Sequence, residues 1–242
     1  MRLVSHLNKK ERSKIMGRSI GYLIEDATNL QLAVQTHKDE MLAKGFKEIR
    51  FKTMDDMLAA VVKTNSTQMA AHDNVAQNTE SQNAAIAAGF AMITKIQNAA
   101  RSAFGRNKTK QKEFRIGSKK SKSVGRLSEL LDYLAGVCTK YHEVLIENGL
   151  TEDDFASISS VYANLVTADA LQEHSKKLGN VATETRNDAA AALQEEMYRI
   201  RNFAKSAFAG NKAILEEFKP IKKGGRRGGG TNPTPPTQPP QS

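Results

Sequence analysis

Five histidines, His6, His37, His72, His142 and His174, and one cysteine, Cys138, are the side chains of this 242-residue chain best suited to ligate a metal or act as base or nucleophile. Their spacing supports neither role. A di-iron helical bundle needs Glu three residues ahead of His on facing helices, and no Glu here stands three residues before a His. A lone cysteine cannot close an internal disulfide, build a CxxC zinc site or attach a haem. No glycine-rich loop leads into Lys-Ser or Lys-Thr, and no G-x-S-x-G elbow occurs. The expectation is a protein that is not an enzyme, with no catalytic, cofactor-binding or metal-binding residue, no cofactor and no small-molecule substrate. Each histidine reads as a partly exposed helical residue, and Cys138 as a small member of a core.

The chemistry that remains is that of positive charge. The chain carries 36 Lys and Arg against 26 Asp and Glu, a formal charge of +10, and the excess is concentrated in the connectors. Residues 1–18 carry +5, residues 106–126 carry +8 with Glu113 their only acid, and residues 219–242 carry +5, whereas residues 127–218 carry -7. Short basic stretches attract polyanions without needing a fold, and salt screens the attraction. The residues placed to do this are Lys108, Lys119, Lys120, Lys122 and Arg126 in the middle, and Lys222, Lys223, Arg226 and Arg227 near the end. Single strands bind best where aromatic rings interleave the cations, and between Arg106 and Arg126 the only aromatic is Phe114. No zinc-finger, ribonucleoprotein-motif or leucine-zipper pattern accompanies the charge, so base-specific reading is not expected.

The elements that carry these residues come in two similar series. Sliding the chain against itself by 104 residues makes 27 of the 97 positions from Ser19 to Arg115 identical to their partners without a gap. The match is densest at the ends, where Asn98, Ala100, Ser102, Ala103, Phe104, Asn107 and Lys108 fall on Asn202, Ala204, Ser206, Ala207, Phe208, Asn211 and Lys212. It is weakest over residues 63–78, where only Gln68 and Gln172 agree. A tandem duplication explains the pattern.

Each series reads as helix, because apolar residues recur at three- and four-residue steps and no proline stands between Met1 and Lys219. Leu127, Leu131, Leu134, Cys138 and Leu145 form one stripe, which Gly149 ends in a left-handed turn, as Gly45 does in the first series. Thr151 caps a second helix, and Thr79 and Thr183 read as caps of a third after a break near Gly179-Asn180. A continuous helix of about 50 residues also satisfies the period, but compact packing favours the hairpin, since a lone long helix leaves its stripe without a partner. Asn211 caps a short last turn that returns Phe218, matched by Phe114, to the bundle, so Phe104, Phe114, Phe208 and Phe218 are expected inside.

The expected fold is all-α, a tandem duplication of an antiparallel helical bundle of about 104 residues, with three long helices and a short fourth segment per repeat. Residues 1–18 are a basic arm, 19–116 the first bundle, 117–126 a basic linker, 127–221 the second bundle, and 222–242 a disordered Gly/Pro-rich tail. The longest apolar run, Ala84 to Ile93, is half of the roughly 20 residues a membrane span requires. With no secretory signal evident at the N-terminus, the cytoplasm is the expected location. Two function classes follow. One is a structural or interaction protein, a scaffold that engages a protein partner or itself. The other is a sequence-nonspecific binder of nucleic acid or another polyanion through the arm, linker and tail.

Overall fold

The computed structural model describes residues 19–118 and 121–221; the basic arm, Lys119, Lys120 and the tail from Lys222 lie outside the described residues. Every regular element described is an α-helix. In chain order they are α1 (Ile20–Thr36), α2 (Lys38–Ala43), α3 (Ile49–Phe104), α4 (Lys108–Glu113), α5 (Val124–Lys140), α6 (His142–Glu147), α7 (Glu152–Ala207) and α8 (Lys212–Glu217). The second four repeat the first four in order and length, at 17, 6, 56 and 6 residues.

The local signals for helix ends are where the residue types put them. Ser19 accepts from the Tyr22 amide at the start of α1, and Thr151 and Asp154 hydrogen-bond reciprocally at the start of α7. Asn107 and Asn211 accept from the first turns of α4 and α8. Gly45 and Gly149 sit at φ +89° and +106°, a left-handed conformation that costs a side chain about 1 kcal/mol or more. The stripes that precede them are each interrupted once, at His37 and Tyr141, so α1–α2 and α5–α6 replace the two unbroken first helices expected.

The larger correction concerns the middle of each series. The hairpin is absent: α3 and α7 each run unbroken for 56 residues, through the places where caps and a break were expected. Thr79 and Thr183 are interior, and their hydroxyls donate to the carbonyls four residues back, Val75 and Gly179, at 2.7 and 2.8 Å. A hydroxyl that bonds back along the helix does not cap it. Gly179 lies inside α7 against α3, where a Cβ would stand 3.4 Å from Val75, an ordinary contact.

The compact units do not follow the repeat boundaries. One unit holds residues 19–61 together with 190–221, and the other holds residues 62–189. Each unit therefore takes helices from both series. In the first, α1, α2 and the start of α3 pack with the end of α7 and α8, burying Leu23, Leu30, Met41, Met54, Leu193 and Ile200. In the second, α5 and α6 pack with the end of α3, α4 and the start of α7 around Ile93, Ile96, Phe114, Leu127, Leu131 and Leu165. Gly89 lets α5 approach α3, since a Cβ there would stand 3.1 Å from Leu127. Three of the four recurring phenylalanines, Phe114, Phe208 and Phe218, are buried; Phe104 is half-buried.

No described helix is long and apolar enough to cross a membrane.

Candidate functional site

Of the cations singled out in the sequence, Lys108, Lys122 and Arg126 are described and exposed, while Lys119, Lys120, Lys222, Lys223, Arg226 and Arg227 lie outside the described residues. The second unit also groups cations outside the linker. Lys110 of α4 donates to the hydroxyl of Tyr141, with its ammonium 4.3 Å from the ring centroid, and Lys140 stands 5.0 Å from the same centroid. The Tyr141 hydroxyl donates to Glu113 at 2.7 Å, and both ammoniums lie within 4 Å of that carboxylate, at 3.6 and 3.8 Å. The hydrogen bond from Tyr141 holds Glu113 below its ordinary carboxylate range, and contact with Tyr141 raises both lysines above theirs. One acid therefore serves two lysines. Next to it, the guanidinium of Arg115 lies 5.0 Å from the centroid of Tyr133, which is 41% exposed.

Sequence reasoning missed Lys110, Arg115, Tyr133, Lys140 and Tyr141 because their contacts form only when one helix packs on the next, which no local pattern specifies. One signal was available. Arg126, Tyr133 and Lys140 recur every seven residues on α5, which places them along one face of a helix. Glu129 and Asp132 are exposed on the adjoining face.

The turn after α4 is held in place by Gln97 of α3, whose side-chain amide donates to the carbonyls of Phe114 and Arg115 at 3.1 and 3.0 Å. Arg115 itself has φ +54°, the one non-glycine residue among those described in the left-handed region.

Comparison with family models, curated proteins and solved structures finds no match. The site is therefore weighed against the rest of the chain itself. In the first unit the ring position of Tyr141 is taken by His37, between Phe208 and Phe218, with Nε2 3.1 Å from Glu217 and Nδ1 3.3 Å from Glu40. The carbonyl of Phe218 is met by Arg201 at 2.9 Å, where Gln97 serves Phe114. Arg201 also pairs with the buried Asp26 at 2.8 Å, and Asp26 accepts from the Ile221 amide at 3.0 Å. These contacts fasten α8 to α1 and use charge for packing.

A depression of about 390 Å³ in the first unit is lined by Phe46, Lys47, Arg50, Arg199 and Phe203. Its arginines are already engaged: Glu196, itself buried, accepts from Arg50 at 3.1 Å and lies 3.6 Å from Arg199. Among the described residues no group of three or more His, Cys, Asp or Glu is placed to hold a metal ion.

Cys138 is fully buried in the core of the second unit, and burial pushes its thiol up to about 12. At pH 8 its alkylation by iodoacetamide is expected to be about a thousandfold slower in the native protein than in the unfolded chain, because the thiolate is the reacting form. Comparable rates in the two states, read by mass spectrometry, would show that α5 opens readily.

Proposed function

We propose that this chain is a non-enzymatic interaction or structural protein, built by tandem duplication, whose paired long helices present a surface to a protein partner. One observation carries the reading. In the second unit, near the middle of the two long helices, the usual arrangement of an amphipathic pair is inverted. Between α3 and α7 the seam contains Gln68 bonded to Arg186 at 3.1 Å, Gln82 bonded to Asp169 at 2.6 Å, and the buried Gln172 and Ser175. Among the described residues, Gln172 Oε1 is the one buried side-chain oxygen without a hydrogen-bond partner. Meanwhile Leu171, Leu178 and Val181 of α7 are 52, 52 and 59% exposed, and Met69 of α3 is 60% exposed. Folding gains little from apolar residues left in water and loses from polar ones withdrawn from it, so the arrangement fits a stretch whose packing is completed by another chain. The simplest partner is a second copy.

Sedimentation of the full chain tests this. The parent is expected to form a defined oligomer free of nucleic acid, and Leu171→Gln with Leu178→Gln to shift it toward monomer with its helical circular dichroism unchanged. A monomer in both cases, up to about 100 µM, overturns self-association.

The second reading is a polyanion binder, favoured by the cations gathered about Tyr133 and Tyr141. Salt-sensitive retention of the full chain on heparin supports it, and absence of retention at low salt removes it.

A further inference from the structure

The duplicated plan of the chain is its own control for what packing requires. Residues 104 apart occupy corresponding places in the two series; Lys108 and Arg115 fall on Lys212 and Lys219, but most of the cationic surface has no counterpart. Where α5 carries Arg126, Tyr133 and Lys140, α1 carries Tyr22, Asn29 and Thr36. Where α4 carries Lys110 and Lys112, α8 carries Ile214 and Glu216, although both helices return a buried phenylalanine, Phe114 or Phe218. At Arg126, Lys140, Lys110 and Lys112 the fold is thus made once with a cation and once without one. Packing does not demand them.

Arg115 makes the same point through the backbone. The Ile116 amide bonds back to the Gln111 carbonyl at 2.9 Å and the Arg115 amide to Lys112 at 3.0 Å, so α4 ends in a motif whose left-handed position favours glycine. Arginine occupies that position at φ +54°. A glycine there would relieve the backbone, and what it would lose is the guanidinium set against Tyr133.

The exposed side chains also bear on the partner. Among the described residues between 105 and 141 Tyr133 is the one large hydrophobic side chain exposed, so the surface described offers an aromatic ring and no exposed large aliphatic residue to insert into lipid. Cations beside an accessible ring suit a phosphate backbone with unstacked bases. We propose that Arg115, Arg126 and Lys140 bind the phosphates of a single-stranded nucleic acid and that Tyr133 stacks on one of its bases. This rests on the polyanion reading, and it locates the binding on the second unit, with an aromatic contribution that the linker sequence lacks.

The test is fluorescence anisotropy of the full chain with a labelled mixed-sequence single strand of about 20 nucleotides across a salt series. The triple variant Arg115→Gly, Arg126→Gln, Lys140→Gln is expected to bind at least about tenfold more weakly and to flatten the slope of log affinity against log salt by about 2. Arg115→Gly alone should weaken binding while the melting temperature stays the same or rises, an outcome that a structural role for the arginine would reverse. Tyr133→Ala should weaken the single strand by about fivefold or more and leave a duplex of the same sequence unaffected. Lys205→Gln, Lys212→Gln and Lys219→Gln together, on the first unit, should change nothing. If the triple variant binds as the parent does, the contact lies elsewhere in the chain; this inference then falls and the polyanion reading stands. If the parent binds no strand at about 50 mM salt, both fall. Binding to vesicles of anionic phospholipid without binding to the strand also overturns the proposal.

Discussion

Arg201→Gln is expected to lower stability by about 3 to 5 kcal/mol, read as a fall in the denaturant midpoint. Arg201 and Asp26 are 14 and 2% exposed at their side chains and meet at 2.8 Å, so removing the guanidinium breaks a buried ion pair and withdraws a charged partner from a carboxylate in the core of the first unit. The chain contains a solution that needs no charge: 104 residues away the same two places are held by Gln97 and Leu130, and Gln97 still reaches the Phe114 carbonyl. Asp26→Leu combined with Arg201→Gln is therefore expected to recover to within about 1 kcal/mol of the parent, a coupling visible only in a double-mutant cycle. A loss below about 1 kcal/mol in the single variant would mean that water reaches Asp26.

Phe208→Ala is expected to cost a similar amount, about 3 to 5 kcal/mol, through the lost transfer of the ring and the cavity left behind. Phe208 is 2% exposed, stacks on Phe218 with centroids 5.8 Å apart, and touches His37 at 5.6 Å, so several neighbours would have to collapse to fill its place. Phe114→Ala should behave alike, being fully buried in the second unit. Phe104→Ala should cost clearly less, because Phe104 is only half-buried although it occupies the equivalent position to Phe208. Equal losses at Phe104 and Phe208 would mean that the two ends pack alike and that the exposure of Phe104 is misplaced; chemical denaturation followed by circular dichroism checks all three.

What the amino-acid sequence determined by itself is local. Apolar steps of three and four, with no proline through the body of the chain, leave helix as the only regular structure; Asn107 and Asn211 cap because a short side-chain oxygen meets free amides there, and Gly45 and Gly149 turn because glycine tolerates positive φ cheaply. The repeat period, the series of elements it implies and the positive excess of residues 106–126 are equally legible, since each needs only comparison of residue types along one chain. Tertiary structure decided two things. Whether α3 and α7 break in the middle was open, because Gly179 costs a helix only about 1 kcal/mol and a polar stretch has helical period either way; continuity follows from each long helix finding the other along its length in the second unit. Which stripes pair was open as well, because the two series present apolar stripes of the same helical period, so local pattern does not say whether α1 packs with the end of α3 or of α7, and only the assembled packing selects α7. The cationic site shares that origin: its charges lie close in sequence, but Tyr133 and Tyr141 reach Arg115 and Lys110 only when α5 folds against α4, a contact that no local pattern specifies.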